Sequence, residues 1–344
     1  MRITAKDIAR EAGVSETTVS LVLNGRPARI SEKTRKRVLE IAAKYRFASN
    51  QIAVSLATRK TYTLGIILPN LTNPLFPRLA AGVEKHAQKN DYALFLCNCE
   101  ESASLFLHYL EVLQRRCTDG LIVLLPSEVD ERPDQFYQKV HEALSASQVP
   151  VVLVERRMKD HPCDFVCIDN RRGGELATEY LLSMGHTRIG HITGTPFFAE
   201  RTRGYKDALE SCGISVEPRW MAEGDFSIES GYRGARRLLA ERVTAIFAGN
   251  DEMALGVSKA ATEAGLRIPE DLSLVGFDDN PIAKVMPVPL TTILQPGETM
   301  GEKACEVLLD RLSNPDEERE PQDFLFDPVL ITRRSVCPPA GKNC

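Results

Sequence analysis

Glu16, Thr17, Ser20, Leu21 and Asn24 share one face if the stretch around them is helical. The chemistry of that face is reading the edge of a base. A carboxylate such as Glu16 accepts from cytosine N4, and Thr17 and Leu21 offer apolar contact to a thymine methyl, but no arginine stands there to take a guanine. Cations flank the face at Arg26, Arg29, Lys33, Arg35, Lys36 and Arg37, where they suit phosphates, although a solvated helix face carries the same residues. Residues 1–60 hold 13 Lys and Arg against 5 Asp and Glu, net +8, and the remainder 30 against 42, net −12. The chain total of −4 therefore conceals two electrostatically different pieces, and the basic one has the footprint of a phosphate-neutralising surface.

Two short helices folded over a tight turn would present that face. Thr4 and Asp7 form a capping box, and Ile8, Ala9 and Ala12 give the first helix an apolar stripe. Gly13 supplies a left-handed C-terminal cap, Ser15 can cap the next helix, and Val19, Val22 and Leu23 form its stripe. A third helix starts at Ser31 and buries Val38, Ile41, Ala42 and Tyr45. Helical hairpins also occur in proteins with no nucleic-acid role, so position and charge carry the argument here. Ser49 to Leu56 reads as a further helical segment, too short to be stable alone.

From Leu64 onward, short apolar runs alternate with helical ones. The runs are Leu64–Leu68, Ala93–Cys97, Leu121–Leu125, Val151–Val154, Arg188–Thr193, Ala245–Ala248 and Leu272–Gly276, closing with a strand over Phe324–Ile331. Strands that are apolar throughout and followed by helices predict parallel sheets covered on both faces. Two such lobes in succession would leave a cleft at the carboxyl ends of their strands. At 344 residues and 43% hydrophobic, the chain can bury large cores, and its apolar runs fall far short of the ~20 residues a bilayer requires. Charges at Arg2, Lys6, Asp7, Arg10 and Glu11 interrupt any signal peptide, so a cytoplasmic protein is expected, and nine cysteines without zinc-site spacing read as packed thiols. No phosphate-loop, dinucleotide, nucleophile-elbow or zinc-protease motif occurs, so neither enzymatic chemistry nor a metal or cofactor is expected.

The run DIAREAGVSETTVSLVLNG, followed by ISEKTRKRVLEIAAKYRF and NQIAVSLA, resembles the DNA-binding domain and hinge of the lac repressor family of bacterial transcription regulators. The resemblance continues along nearly the whole chain. It implies an all-α helix-turn-helix domain over residues 1–48, a hinge helix and linker over 49–60, and a two-lobed α/β effector domain with parallel sheets, like that of periplasmic binding proteins, over 61–344. DNA contacts then fall to Thr4, Ser15, Glu16, Thr17, Thr18, Ser20, Leu21, Asn24, Arg26 and Arg29, and in the hinge to Asn50, Ala53 and Leu56. Leu56 would wedge between base pairs in the minor groove and kink a pseudo-palindromic operator bound by a homodimer. Two residues depart from the family pattern: Ala48 stands where proline is usual, and Val54 where arginine is usual.

In the effector domain the resemblance points to Asn73, Phe76, Arg201, Phe226, Asn250 and Asp278 as contacts for a sugar, sugar derivative or sugar acid. An aromatic face suits the C–H side of a polyol, and paired polar groups suit its hydroxyls. Taken singly, Asn73 could hold a turn, Phe226 could be core, and Asp251 could cap a helix. Arg172 would favour an acidic ligand if it faced inward, but it reads better as a surface residue at a helix start. The competing function is a sugar-binding or sugar-modifying protein whose basic head is incidental, and an interaction scaffold is the third class.

Overall fold

The structure is a computed structural model, describing residues 3–23, 29–45, 60–115, 118–158, 163–315 and 319–339. The chain divides into two compact units, Met1–Thr61 and Tyr62–Cys344.

Among the described residues, the first unit holds three helices: α1 (Ala5–Ala12), α2 (Glu16–Leu23) and α3 (Glu32–Lys44). The expected capping box at Thr4 and Asp7 is present, and Gly13 sits at φ 63° with its N–H on the last carbonyls of α1. Ile8, Ala9, Ala12, Val19, Val22, Val38, Ile41 and Ala42 form one small core. Tyr45, expected inside, is instead the exposed C-cap of α3.

Twelve strands, β1 (Thr63–Leu68), β2 (Ala93–Asn98), β3 (Gly120–Val123), β4 (Val151–Val154), β5 (Asp164–Ile168), β6 (Ile189–Ile192), β7 (Met221–Ala222), β8 (Ala245–Ala248), β9 (Ser273–Asp278), β10 (Thr291–Leu294), β11 (Asp323–Phe326) and β12 (Val329–Ile331), build the second unit. They form two six-stranded sheets, ordered β11-β5-β4-β3-β1-β2 and β12-β10-β9-β8-β6-β7. All pairings are parallel except β10 with β12. The helices are α4 (Leu75–Lys89), α5 (Ala103–Arg115), α6 (Glu128–Glu131), α7 (Pro133–Ser145), α8 (Asn170–Ser183), α9 (Ala199–Ser211), α10 (Ile228–Ala240), α11 (Asp251–Glu263), α12 (Pro281–Val285) and α13 (Gly297–Ser313).

The lobes are not simply successive. The chain crosses between them after β5, after β10 and between β11 and β12, so α13 and β11 return to complete the first lobe. The single strand expected over Phe324–Ile331 is therefore two strands in different sheets. Pro328 separates them; it has no N–H to give a ladder and holds the residue before it extended. β2, expected to be covered, is an edge strand that leaves Phe95 and Leu96 about half exposed.

Three helix pairs pack backbone to backbone through reciprocal glycines. A Cβ on Gly82 of α4 would lie 1.9 Å from Glu298 O of α13, and one on Gly301 of α13 would lie 2.0 Å from Leu79 O. Gly174 of α8 and Gly204 of α9 stand the same way against Arg201 O and Arg171 O, as do Gly231 of α10 and Gly256 of α11 against Met253 O and Ile228 O. Any larger residue at these six positions must push two backbones apart.

Candidate effector cleft and DNA-contacting face

In the first unit, Ser15 accepts from Thr18 N at 3.1 Å and so caps α2, and the two hydroxyls lie 2.9 Å apart. Thr4 is likewise engaged, its hydroxyl donating to Asp7 at 2.6 Å. Glu16, Thr17 and Ser20 are exposed, Leu21 is half-buried, and Arg29 is exposed just before α3. The face that could reach base edges is thus held rigid by caps at its first turn and by Val19 and Val22 behind it. Asn24, Arg26, Asn50, Ala53 and Leu56, with the departures at Ala48 and Val54, lie outside the described residues.

In the second unit a cavity of about 220 Å³ opens between the two lobes. Its walls come from the carboxyl ends of parallel strands, where open α/β sheets bind ligands. The first lobe contributes Asn70, Asn73 and Phe76 after β1, Glu101 after β2, Ser127 after β3, and Glu155 and Arg156 after β4. The second contributes Thr195 and Phe198 after β6, Arg201 on α9, Asp225 and Phe226 after β7, and Asp278 at the end of β9. Glu101, Glu155, Phe226 and Asp278 have φ of 59°, 68°, 67° and 107°, positions that cost a non-glycine residue roughly 1–3 kcal/mol each. Strain of this kind collects where side chains are aimed for binding rather than for stability.

Arg201 is the electrostatic centre. Its guanidinium lies 3.6 Å from the ring centroid of Phe277 and donates to Asn170 Oδ1 at 2.7 Å, Gly249 O at 2.6 Å, Gln295 Oε1 at 3.3 Å and Glu155 Oε1 at 3.4 Å. The fork expected for a ligand is therefore spent on holding the two lobes' polar groups in place. Arg156 repeats the arrangement in the first lobe, gripping Glu101 at 2.6 and 3.0 Å and Leu125 O at 2.7 Å. Burial raises the Glu101 carboxyl, but the charge and hydrogen bonds of Arg156 outweigh it, so Glu101 titrates below the usual range. Burial pushes Glu155 up against the pull of Arg201, and pushes Asp278 well up, with the nearby carboxylates of Asp251 and Glu155 adding to it.

Among the described residues, four buried atoms in this wall have no hydrogen-bond partner: Glu155 Oε2, Arg156 Nε, Thr195 Oγ1 and Asp278 Oδ1. Leaving such groups unmade costs about 1–3 kcal/mol each, a cost a polar ligand recovers on binding. Acceptors, a donor and a hydroxyl together match hydroxyl groups, which both donate and accept.

Of the residues named from sequence, Asn73, Phe76, Arg201, Phe226 and Asp278 line the cavity, and Asn250 does not. The Asn250 amide is used at both ends, accepting from Met253 N at 2.8 Å as the N-cap of α11 and donating to Phe226 O at 3.2 Å. It positions the Phe226 loop. Asn73 both lines the wall and holds its turn, accepting from Leu75 N at 3.0 Å. Arg172 is half-exposed and paired with Glu175 and Glu179. Glu101, Glu155, Arg156, Thr195 and Phe198 were missed, yet Glu155-Arg156 carried a signal: a charged pair immediately after a fully apolar strand.

Asp251 is buried behind the wall, accepting from Thr292 Oγ1 at 2.6 Å and Asn280 N at 2.7 Å. Burial raises its carboxyl to about 7, so the native state holds a proton that the unfolded chain releases near pH 4. The native state then binds more protons across that window, and stability falls as pH rises from about 4 to about 7. Urea denaturation at pH 5 and pH 8 is expected to show this loss shrinking by about 2–3 kcal/mol in Asp251→Asn. An unchanged difference would mean that Asp251 is ionised in the fold.

Comparison with known proteins places the chain. Residues 4–50 match the model of bacterial regulatory proteins of the lacI family, and residues 178–336 match the periplasmic binding protein-like domain. A transcriptional repressor named PurR from Aliivibrio fischeri is 36% identical over 97% of this chain and 98% of its own length. The chain belongs to the lac repressor family. The ribose operon repressor of Escherichia coli K12 is also 36% identical, over 97% of this chain and 99% of that one. Among solved structures, the lac repressor dimer bound to operator and an anti-inducer covers 98% of this chain at 27% identity with a TM-score of 0.85. A lac repressor family regulator from Enterococcus faecium with bound ribose covers 80% at 31% identity and a TM-score of 0.70. Like its family, this lac-repressor-type protein is a DNA-binding transcription regulator. Among the described residues no helix is long and apolar enough to cross a membrane.

Proposed function

We propose that this regulator represses genes for uptake or breakdown of a neutral sugar of about pentose size, and that the sugar binds the interlobe cavity. The four unpartnered atoms carry the reading. Glu155 Oε2 and Asp278 Oδ1 accept from hydroxyls, Arg156 Nε donates to one, Thr195 Oγ1 does either, and Phe76, Phe198 and Phe226 take the ring's apolar face. Six carboxyl groups line the cavity against two guanidinium groups, both already engaged by protein acceptors, which disfavours a sugar acid. Ribose in the Enterococcus faecium structure and in the name of the Escherichia coli repressor supports the size and class.

Within this reading residues 1–48 are the DNA-binding domain, 49–60 the hinge, and 61–344 the effector and dimerisation domain. Thr4, Ser15, Glu16, Thr17, Thr18, Ser20, Leu21, Asn24, Arg26 and Arg29 contact the major groove and its phosphates, and Asn50, Ala53 and Leu56 the minor groove. The protein acts in the cytoplasm on the nucleoid and catalyses no reaction. Effector changes operator affinity because it binds one lobe arrangement better than the other.

The deciding experiment selects binding fragments from random DNA, then measures affinity across a salt series with D-ribose, D-glucose, D-gluconate or hypoxanthine present. Selective binding that weakens steeply with salt, and that a neutral sugar shifts by about 5- to 150-fold, is expected. A response to gluconate or hypoxanthine alone would overturn the neutral-sugar reading. Failure to select any fragment would overturn the operator function.

A further inference from the structure

One side chain ties the lobes together beside the cavity. Arg78 leaves the first turn of α4, in the first lobe, and donates to Asp278 O at 3.0 Å, Asp279 O at 3.3 Å and Asn280 Oδ1 at 3.3 Å, all in the second. Its Cβ packs 3.5 Å from where a side chain on Gly297 would begin, at the point where the second crossover enters α13. Among the described residues Arg78 forms no ion pair, its half-buried charge resting on carbonyls, and its Nε is buried without a partner. The carboxylate of Asp279, whose carbonyl Arg78 holds, is taken by Arg333 at 2.5 Å. This is poor design for stability alone, since a guanidinium gains most from a carboxylate fork.

Placement gives it another use. Asp278 lines the cavity and leaves its buried Oδ1 unpartnered among the described residues, while its carbonyl is the one Arg78 holds most closely. Leu75 and Phe76, in the same turn of α4 as Arg78, line the opposite wall. Beyond them Leu79 and Val83 pack into one core with Leu64, Ile66 and Leu68 of β1, the strand that follows the linker from the DNA-binding unit. A contiguous set of contacts thus runs from the cavity through Asp278, Arg78 and α4 to β1. Coupling between sites requires such an element with two arrangements, both biased by the ligand.

We propose that Arg78 is the coupling residue of this regulator, carrying occupancy at Asp278 across the lobe boundary into α4. The inference rests on the reading that effector fills the interlobe cavity, and it adds the route by which filling is transmitted. Arg78 is a positioning residue and touches no ligand itself.

The test uses the full chain as wild type, Arg78→Gln and Arg78→Lys. Without sugar, amide hydrogen exchange over residues 276–283 is expected to quicken about tenfold in Arg78→Gln, with β3, β4 and β8 unchanged. D-ribose is expected to bind the variant within about threefold of wild type, while the factor by which it shifts operator affinity falls to under a third. Arg78→Lys restores charge but not the fork, so it is expected to recover the melting temperature and not that factor. Unchanged exchange over 276–283, or a lowered melting temperature with the factor intact, would overturn the proposal. If D-ribose leaves the wild type unmoved, the pentose reading fails by itself, and the exchange result alone decides the clasp.

Discussion

Arg201→Ala is expected to lower the unfolding free energy of the effector-binding unit by about 3–5 kcal/mol, the range for removing one partner from a buried charge network. Four protein acceptors lose their donor at once, and Glu155, Asp278 and Asp251 lose the cation that offsets their burial. Urea denaturation followed by the fluorescence of Trp220, the chain's one tryptophan and part of the second lobe's core, reports the change directly. Because burial already raises Glu155 and Asp278, both can take up protons once Arg201 is gone. The loss should therefore be larger at pH 8 than at pH 5. A loss under about 1 kcal/mol at both would mean that the carboxyls are neutral in the native protein and need no cation.

Gly204→Ala is the second large effect, about 3 kcal/mol, at the upper end for overpacking. Its Cβ would lie 2.0 Å from Arg171 O and 2.7 Å from Glu175 N, both backbone atoms that no rotamer change can move. Helix α8 must shift, and it begins with Asn170, which holds Arg201 Nε. D-ribose binding should weaken at least tenfold along with stability. Gly213→Ala is the control: nothing lies near that position, so only its φ of 69° is strained, at roughly 1–2 kcal/mol. Equal costs at the two positions would mean that α8 and α9 do not meet backbone to backbone.

The helix-turn-helix unit was legible almost residue by residue, because its signals are local. Thr4, Asp7, Gly13 and Ser15 each act within four residues of themselves, and the stripes at Ile8, Val19 and Val38 have one small core to fill. The parallel sheets were legible as a class, since β3, β4 and β8 are apolar throughout. What escaped were elements whose sequence is written for distant partners. β5 opens on Asp164, a charged residue that makes sense only beside Arg311, which grips it at 2.7 and 2.8 Å from α13. In the cleft, Phe76, Phe226 and Asp278 could be placed on the wall from sequence because they sit in motifs that can be carried over by resemblance. Asn250 stands off the cavity wall, and sequence cannot show this because an N-capping asparagine and a ligand-contacting one look alike there, whereas the geometry shows both ends of its amide engaged.

The three crossings of the chain between its lobes set a timetable for synthesis. When β5 is complete at Ile168, the first sheet still lacks β11 and the helix α13, whose Met300, Ala304 and Leu308 cover Ile122, Val152 and Val166. About 130 residues must be added before α13 begins at Gly297, on the order of ten seconds at ordinary translation rates. For that interval the ribosome carries an apolar parallel sheet with one face covered only in part, by α4, the kind of surface that holdase chaperones take up. Both lobes then close within the last few dozen residues, so a chain stopped short of them leaves two unfinished lobes rather than one finished and one missing.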